Sequence, residues 1–311
     1  MRVFVAGATG AIGRPLVRQL VAAGHEVTAM TRREDRAGGI REAGAEGVVC
    51  DVFDVEGLRE AVVVARPEVV LHALTALPAR FKPRGDYLAA TNRVREEGTR
   101  NLVAAAKAAG ASRIVAESVA FFYEPEGGLI KDEEAPLFRD PPGRFAAGCD
   151  ALVSMERQVL EAGEPEGVVL RFGWLYGPGT YYDSNGTIAE ETRRRRNPIV
   201  GKGSGMFSFV HVEDAASAFV AALDHGRPGV YNIVDDEPAL ASEWQPLYAE
   251  LLGAKPPRRV PVWLARLVAG KDLTSAAVQM RGASNAKASR ELGWEPTHPS
   301  WRQGFAASLA S

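Results

Sequence analysis

The chain has 311 residues, of which 46% are hydrophobic and 24% are charged, and its formal net charge at pH 7 is -2. These values are typical of a folded globular protein and exclude disordered, collagen-like and coiled-coil chains. The balanced charge provides no global field for a polyanion, so we expect no nucleic-acid partner, and no stretch is apolar for long enough to anchor the chain in a membrane.

Short β-branched runs alternate with helical patterns over the first two thirds of the chain, which is typical of a parallel sheet with helices on both faces. The predicted strands cover residues 3–6, 26–31, 47–51, 68–73, 113–117 and 168–172. The first run is too short for the apolar part of a signal peptide, and the two cysteines, Cys50 and Cys149, cannot form a disulfide framework. We therefore expect a cytoplasmic protein.

A glycine-rich turn follows the first predicted strand and opens the first predicted helix. Its residues are Gly7, Ala8, Thr9, Gly10, Ala11, Ile12 and Gly13. In this context Gly7 allows a tight turn, Gly10 lets backbone N–H groups approach a diphosphate, and Gly13 lets the helix pack closely on the strand. The turn therefore predicts a dinucleotide-binding site.

The second predicted strand ends in two arginines, Arg32 and Arg33. A site selective for NAD usually has a carboxylate here to hold the ribose 2'-hydroxyl group, whereas guanidinium groups suit a 2'-phosphate. This favours NADP(H) as the cofactor. Glu34 and Asp35 follow directly and weaken the positive field, so NAD(H) stays open as the alternative.

The ends of the third and fourth predicted strands complete the expected cofactor site. Asp51 and Val52 end the third strand, where they would reach the adenine. Ala73, Leu74 and Thr75 end the fourth strand, where they would pass beneath the ribose and nicotinamide.

A series of ordered motifs resembles the extended short-chain dehydrogenase/reductase superfamily, in the branch of NAD-dependent epimerases and dehydratases. The motifs are the Gly7 turn, residues 51–54, Asn92 with residues 98–102, and residues 170–179, 209–215, 231–236, 285–287 and 291–294. The resemblance implies an α/β Rossmann fold, a doubly wound parallel sheet of about seven strands with a small C-terminal substrate-binding lobe. We expect the NADP-binding core to span residues 1–173. The interleaved lobe then spans residues 174–311, with a strand near residues 230–234 that returns to the sheet. The resemblance also implies that Ser118, Phe172, Gly173 and Trp174 contact the cofactor.

The chemistry of that superfamily rests on a Ser or Thr, a Tyr and a Lys, with the Tyr and Lys four residues apart on the helix after the fifth strand. By resemblance, Ser118 is the catalytic serine. Aligning the helix on Glu156 places Gly148 at the tyrosine position and Leu152 at the lysine position. None of the seven tyrosines in the chain is followed by a lysine four residues later, so the chain is an atypical member.

A positioned general acid is commonly worth about 10²- to 10⁴-fold in rate, so the missing tyrosine needs a substitute or a reaction that does without it. Tyr123, five residues after Ser118, is our candidate for the catalytic proton donor. Tyr181 and Tyr182, in the segment after the sixth strand, are alternatives.

The expected substrate pocket is apolar. Gly148 and Leu152 leave a roomier and less polar space than Tyr and Lys would, and Phe207 stands where nucleotide-sugar members of the superfamily have a diphosphate-binding arginine. We predict that the substrate contacts Gly148, Leu152, Trp174, Tyr181, Tyr182 and Phe207. The chain has no His-x-x-x-His sequence and no paired cysteines, so we predict no metal site, and we expect His72 and His211 to be buried structural histidines.

These observations favour an NADP(H)-dependent reductase of a hydrophobic or ring-bearing small molecule. One alternative is an isomerase, cyclase or dehydratase that keeps the cofactor without net redox chemistry, and another is a non-enzymatic NADP-binding sensor. Homodimerisation through the helices near residues 87–109 and 145–161 is common in the superfamily and is a further expectation.

Overall fold

The computed structural model describes residues 1–78, 80, 88–138, 143 and 145–310, apart from the side chain of residue 272. The predicted start of a long helix near Tyr87 lies outside these residues. None of the described helices is both long and apolar enough to cross a lipid bilayer.

The described residues contain fifteen strands, several of them only two residues long. They are β1 (Arg2–Ala6), β2 (Glu26–Thr31), β3 (Glu46–Val49), β4 (Val69–His72), β5 (Arg113–Val119), β6 (Ile130–Lys131), β7 (Glu166–Phe172), β8 (Trp174–Tyr176), β9 (Ile199–Val200), β10 (Met206–Phe207), β11 (Phe209–His211), β12 (Gly229–Ile233), β13 (Ala239–Leu240), β14 (Arg259–Val260) and β15 (Gly282–Ala283).

Twelve α-helices lie within the same residues. They are α1 (Gly13–Ala22), α2 (Glu34–Glu42), α3 (Val55–Ala65), α4 (Ala89–Arg93), α5 (Thr99–Ala108), α6 (Phe145–Leu160), α7 (Thr187–Arg193), α8 (Val212–Ala221), α9 (Ala241–Leu251), α10 (Val262–Gln279), α11 (Ala286–Leu292) and α12 (Trp301–Ala310). A π-helical segment, Val94–Gly98, joins α4 to α5.

Seven of the strands form one parallel sheet in the order β12-β7-β5-β4-β1-β2-β3. The order reverses between β1 and β4, which is the switch point where open α/β sheets bind their ligands. This confirms the predicted Rossmann fold, including the strand that returns near residue 230. The division into a core and a lobe at residue 173 stays a prediction.

The central strands are apolar on both faces because helices cover both sides of the sheet. On one face, α1 and α8 pack on side chains such as Val5, Leu71 and Val115. On the other face, α3 and α5 pack on side chains such as Phe4, Val70 and Ile114. A third cluster, built from aromatic residues, forms the core of the C-terminal part of the chain.

The fifth strand is longer than predicted, since β5 runs to Val119 rather than ending at Glu117. Its last three residues are therefore held in strand geometry, and their side chains alternate between the two faces of the sheet. This alternation decides which of them reaches the predicted site.

Both cysteines, Cys50 and Cys149, are free and buried. Burial, together with nearby carboxylates, raises the pKa of the Cys50 thiol to about 11 and that of the Cys149 thiol to about 12. Both thiols are therefore protonated and unreactive near neutral pH.

Candidate cofactor and active site

The glycine turn after β1 has the close approaches that its sequence predicts. Gly7 has a φ of +104°, and a side chain there would overlap the carbonyl oxygen of Ala73. A side chain at Gly13 would overlap the carbonyl oxygen of Gly7. A methyl group at Gly10 would lie 3.4 Å from that same oxygen, at ordinary contact, with no other described atom close enough to restrict it. Gly7 and Gly13 therefore fold the turn, while Gly10 keeps its outer surface open.

Helix α1 begins directly behind this turn, and its N-terminus suits an anion. The first turn of α1 carries no acidic residue, and no side chain caps it. The Gly10 N–H donates to the Gly7 carbonyl oxygen, and the Arg14 N–H donates to the Gly10 carbonyl oxygen. Among the described residues, no backbone oxygen accepts a hydrogen bond from the N–H groups of Ala11 or Ile12. These free donors at a helix N-terminus fit the diphosphate of a dinucleotide.

The two arginines after β2 differ in their partners. Arg33 donates from Nε to Asp35 Oδ1 at 2.9 Å and also pairs with the other carboxylate oxygen of Asp35. Arg32 is exposed and has no hydrogen-bond or ionic partner among the described residues. Of these two arginines, Arg32 is therefore the one whose guanidinium group is unpaired among the described residues.

The ends of β3 and β4 form the floor of the predicted cofactor site. Asp51 Oδ1 accepts a hydrogen bond from the Phe53 N–H at 3.0 Å, which leaves its second oxygen available. Val52 is buried, and its carbonyl oxygen accepts a hydrogen bond from Asn101 at 2.9 Å. Thr75 is exposed beyond the end of β4.

His72, the last residue of β4, is a buried structural histidine as predicted. Its Nε2 lies 2.9 Å from the Thr99 hydroxyl oxygen, and its Nδ1 accepts a hydrogen bond from the Leu74 N–H at 3.3 Å. Burial lowers the pKa of His72 to about 4, so the ring is neutral near pH 7. The neighbouring Ala73 N–H donates to the Ala6 carbonyl oxygen, which extends the sheet by one residue.

Ser118 lies inside a buried polar network on the α6 side of the sheet. Its hydroxyl group donates to Glu156 Oε1 at 2.6 Å, and Arg171 binds both oxygens of Glu156 at 2.8 and 2.6 Å. The side chains of Arg171 and Glu156 are each 7% exposed, so the pair is closed to solvent. This geometry assigns Ser118 to the packing of β5 against α6 and gives no support to its predicted catalytic role.

Tyr123 belongs to the same network. Its hydroxyl group donates to Asn232 Oδ1 at 2.6 Å and accepts from Arg171 at 3.0 Å, and the side chain is only 3% exposed. Burial raises its pKa above the ordinary value for tyrosine. A buried phenol with both hydrogen bonds satisfied is a poor proton donor to a substrate, so the geometry also gives no support to the catalytic role predicted for Tyr123.

Helix α6 carries Gly148 and Leu152, which the alignment on Glu156 places at the Tyr and Lys positions of the superfamily. Leu152 is buried, and a methyl group added to Gly148 would lie 3.4 Å from Leu88 Cδ1. Leu88 therefore occupies part of the space that the predicted pocket would gain from the glycine. The helix offers neither a hydroxyl group nor an amine at these two positions.

Aromatic side chains meet at the carboxyl edge of the sheet, beyond β5 and β7. Trp174 stacks on Phe121 with ring centroids 4.3 Å apart, and Phe207 lies 5.6 Å from Trp174. The Trp174 Nε1–H group donates to the Met280 sulfur at 3.2 Å. Phe121 was not among the predicted substrate contacts, although its position three residues after Ser118 places it at the same edge.

The two tyrosines predicted to line the pocket lie in different surroundings. The Tyr181 hydroxyl group donates to the Pro78 carbonyl oxygen at 2.6 Å, which brings the segment after β8 to the segment after β4. Tyr182 is 5% exposed and packs against Phe209, Trp244 and other rings of the aromatic core. This packing places Tyr182 in the aromatic core and gives no support to its predicted contact with the substrate.

Glu117 is the residue of this region that the sequence interpretation missed. It precedes Ser118 on β5 and points to the opposite face of the sheet. Its side chain is partly exposed, and no described residue makes a hydrogen bond to its carboxyl group. Burial raises its pKa to about 7, while the charge of Arg95 opposes the rise. The signal in the sequence was a glutamate directly after the apolar residues Ile114, Val115 and Ala116 of the same strand.

One cluster in the described residues brings metal-binding side chains together, with ligand atoms of His211, Asp214 and His298 within 4.8 Å of one another. The Asp214 carboxylate already accepts four hydrogen bonds, two from Thr297 and two from His298. His211 Nδ1 accepts from the Glu213 N–H at 3.3 Å. These bonds attach the segment before α12 to α8, and we interpret the cluster as structural.

Comparisons with known proteins agree with the fold. The sequence profile of the NAD dependent epimerase/dehydratase family matches residues 3–234. The chain belongs to this family. As a member of it, the protein is an NAD(P)-dependent oxidoreductase, as predicted.

Three known proteins can be aligned with this chain over nearly its whole length. A 3-diazoavenalumate denitrifying reductase of a Streptomyces species is 47% identical over 306 residues, covering 98% of this chain and 99% of the relative. A 4-hydroxy-2-methyl-3-oxo-4-farnesyl-3,4-dihydroquinoline-1-oxide ketoreductase of Stigmatella aurantiaca is 30% identical over 306 residues, covering 96% of this chain and 88% of the relative. The structure of a UDP-glucose 4-epimerase from Thermotoga maritima has a TM-score of 0.78 at 22% identity, covering 100% and 98% of the two chains. The last comparison supports the fold alone.

Proposed function

We propose that this protein is an NADP(H)-dependent reductase that delivers hydride to a ring-bearing, hydrophobic small molecule at a carbon that needs no proton from the protein. One observation carries the proposal. The glycine turn and the start of α1 are built for a dinucleotide, while α6 offers only Gly148 and Leu152 where proton transfer would need Tyr and Lys. A protein that keeps the cofactor site and lacks the proton relay is suited to substrates that are already electron-poor.

The residues of the chain bind and orient the reactants in this proposal. The N–H groups of Ala11 and Ile12 hold the diphosphate, and Arg32 holds the 2'-phosphate. When bound, the nicotinamide supplies the hydride. Phe121 and Trp174 provide an aromatic surface on which a substrate ring stacks at the carboxyl edge of the sheet.

We propose a diazo-bearing aromatic compound as the substrate class. The relative that is 47% identical is named a denitrifying reductase of a diazo compound. In such a reduction a C–H bond forms from the hydride, the C–N bond breaks, and its electron pair leaves with dinitrogen, so that the cofactor is oxidised by two electrons. No step requires a proton donor, which fits the side chains on α6.

The test is a comparison of substrates with the purified protein and NADPH. We expect an arenediazonium ion to be reduced with loss of absorbance of the reduced cofactor, release of dinitrogen, and transfer of deuterium from labelled NADPH to the ring. A ketone on the same ring should react at least about 10²-fold more slowly, because its oxygen needs the missing acid. Equal rates for the two would contradict the proposal.

The variant Tyr123→Phe tests whether Tyr123 donates a proton in the reaction. Tyr123→Phe removes only the hydroxyl group, and we expect the rate with the diazonium ion to stay within a factor of about two, because this reaction needs no acid. A loss of 100-fold would restore Tyr123 as a catalytic residue. Tight cofactor binding with no redox turnover on any substrate would favour the non-redox enzyme or the sensor instead.

A further inference from the structure

Strand register places Glu117 level with the glycine turn. Ala6 of β1 pairs with His72 of β4, and His72 pairs with Ala116 of β5. The residues that follow, Gly7, Ala73 and Glu117, therefore stand side by side at the carboxyl edge of three neighbouring strands. The switch point between β1 and β4 divides the cofactor site into an adenosine half over β1-β2-β3 and a nicotinamide half over β4-β5-β7. Glu117 belongs to the nicotinamide half.

The face of the sheet on which Glu117 lies is also fixed by its neighbours. Ser118 points to Glu156 on α6, and Ala116 packs in the cluster on the α5 face. Val115 packs in the cluster that contains α1. Because side chains alternate along a strand, Glu117 lies on the α1 face, the side from which the N-terminus of α1 would hold the diphosphate.

The charged and titratable groups around Glu117 leave its carboxylate without a direct partner. Arg95 on the π-helical segment is near enough for its charge to lower the pKa of Glu117, yet no described residue makes a hydrogen bond to this carboxyl group. The other titratable groups at this edge lie on the opposite face of the sheet. There Glu156 of α6 is held by Arg171 of β7, and the Cys149 thiol is protonated. His72 of β4, which lies against Thr99 of α5 on that face, is neutral. A partly buried carboxyl group with a perturbed pKa and no bonding partner is costly to keep, which points to a role with a ligand.

We propose that Glu117 faces the nicotinamide ring of the bound cofactor and that its carboxylate stabilises the oxidised, positively charged ring relative to the reduced, neutral one. This inference rests on the dinucleotide site of the proposed function and adds the residue that favours hydride release. An opposite charge beside a cation in a poorly solvated site strengthens binding of the cation. Tighter binding of the oxidised cofactor favours hydride transfer to the substrate. This suits a reductase in which α6 supplies no proton to the product.

The test measures binding, with no substrate present. The dissociation constants of NADPH and NADP⁺ are determined by calorimetry between pH 6 and pH 8, and their ratio is taken at each pH. Both ligands carry the same 2'-phosphate, which titrates near pH 6, so its contribution cancels from the ratio. With a pKa of about 7, the ionised fraction of Glu117 rises from about one tenth to about nine tenths over this range. We expect the ratio of the NADPH constant to the NADP⁺ constant to rise several-fold, up to about tenfold.

Two variants assign the effect to the residue. Glu117→Gln should give a ratio that does not change with pH. Glu133→Gln is the matched control, because Glu133 is another partly buried carboxyl group with a raised pKa, but it is bonded to the Asn232 N–H at 2.7 Å and lies on the β6 side. In Glu133→Gln, the ratio of the two dissociation constants should change with pH as it does in the unmodified protein.

A flat ratio in the unmodified protein would overturn the inference, and so would a pH-dependent ratio that persists in Glu117→Gln. If that variant does not fold, infrared difference spectra of the unmodified protein replace it. Addition of NADP⁺ at pH 6.5 should then remove a protonated carboxyl band, and the absence of this change would overturn the inference. Failure of the proposed function looks different, because neither dinucleotide would bind at all.

Discussion

The Glu117 carboxyl group links the stability of the fold to pH. Burial raises its pKa from 4.5 to about 7, so the folded chain holds this proton more tightly than the unfolded chain does. The resulting stabilisation is fully present below about pH 4.5 and is lost as the pH rises through about 7. Glu117→Gln removes this dependence. We expect the free energy of unfolding of the variant, relative to that of the parent, to rise by about 3 kcal/mol between pH 4.5 and pH 8.

Urea unfolding of both proteins at pH 4.5, 6, 7 and 8 measures this difference. Glu26→Gln, at an exposed position on β2, is the control and should run parallel to the parent at every pH. Parallel curves for Glu117→Gln and the parent would show that the carboxyl group titrates normally in the fold.

Arg32 should decide between the two dinucleotides. Since Arg33 is paired with Asp35, we expect Arg32→Gln alone to weaken NADPH binding by about tenfold or more and to leave NADH binding nearly unchanged. Calorimetric titration with both cofactors measures the effect. Arg36→Gln removes the same charge from the same exposed segment and should change neither affinity by more than about twofold. Equal losses for both cofactors would point to Arg32 acting on folding or on the diphosphate.

At the scale of single residues, the sequence predicted which amino acids stand at the carboxyl edge but not where their side chains point. Ser118 and Glu117 are neighbours, and a shift of one residue along a strand exchanges the two faces of the sheet. The resemblance drew attention to the hydroxyl group, whereas the structure turns it toward Glu156. Only the register of β5 against β4 and β7 decides this.

The glycine turn and α1 act as one element, and two substitutions separate its two tasks. Gly13→Ala would drive a methyl group into the Gly7 carbonyl oxygen, so we expect a loss of about 2 kcal/mol or more in stability. Gly10→Ala meets only an ordinary contact and has no positive φ, so stability should change by less than about 1 kcal/mol. Its methyl group would stand where the diphosphate approaches, so we expect NADPH affinity to fall by about tenfold or more.

Urea unfolding and calorimetry on the two variants check both expectations. If Gly10→Ala kept the full affinity for NADPH, the diphosphate would not lie on this turn. An unchanged stability for Gly13→Ala would mean that the helix can move away from the strand without cost.

Most sheet elements could be predicted because buried parallel strands have near-continuous apolar runs bounded by turn residues. The runs at residues 69–71 and 168–170 are examples, and both lie in central strands of the sheet. The π-helical segment Val94–Gly98 carries no comparable pattern in the sequence. Since Arg95 is on this segment, its approach to Glu117 could not be predicted either.

At the scale of the whole molecule, Asp214 attaches the segment before α12 to helix α8. Its carboxylate sits at the start of α8 and accepts hydrogen bonds from the backbone and side chain of both Thr297 and His298. We expect Asp214→Ala to lower the free energy of unfolding by about 3 kcal/mol, because buried donors lose their acceptor. Asp214→Asn keeps one acceptor oxygen and should lose less.

Hydrogen exchange shows which part of the fold loses stability in Asp214→Ala. Amides of α12 should exchange faster in Asp214→Ala than in the parent, while those of β1 and β4 should be least affected. Stabilisation of the parent by added zinc would instead mean that His211, Asp214 and His298 bind a metal.

The aromatic core of the C-terminal part of the chain shows why the pocket was harder to predict than the sheet. Tyr182 packs against Phe209, Trp244 and Phe305, residues that lie far apart in the sequence. An aromatic residue in a loop looks the same in the sequence whether it lines a cavity or fills a core. Only long-range packing assigns Tyr182 to the core and leaves Trp174 partly exposed beside Phe121.

The two buried thiols make the protein a convenient background for site-specific labelling. Because Cys50 and Cys149 stay protonated near neutral pH, we expect maleimide dyes and spin labels not to react with the parent chain. A single cysteine introduced at an exposed position would then be the dominant reactive thiol. Fluorescence or electron paramagnetic resonance could follow the carboxyl edge of the sheet in solution without first removing the native sulfhydryl groups.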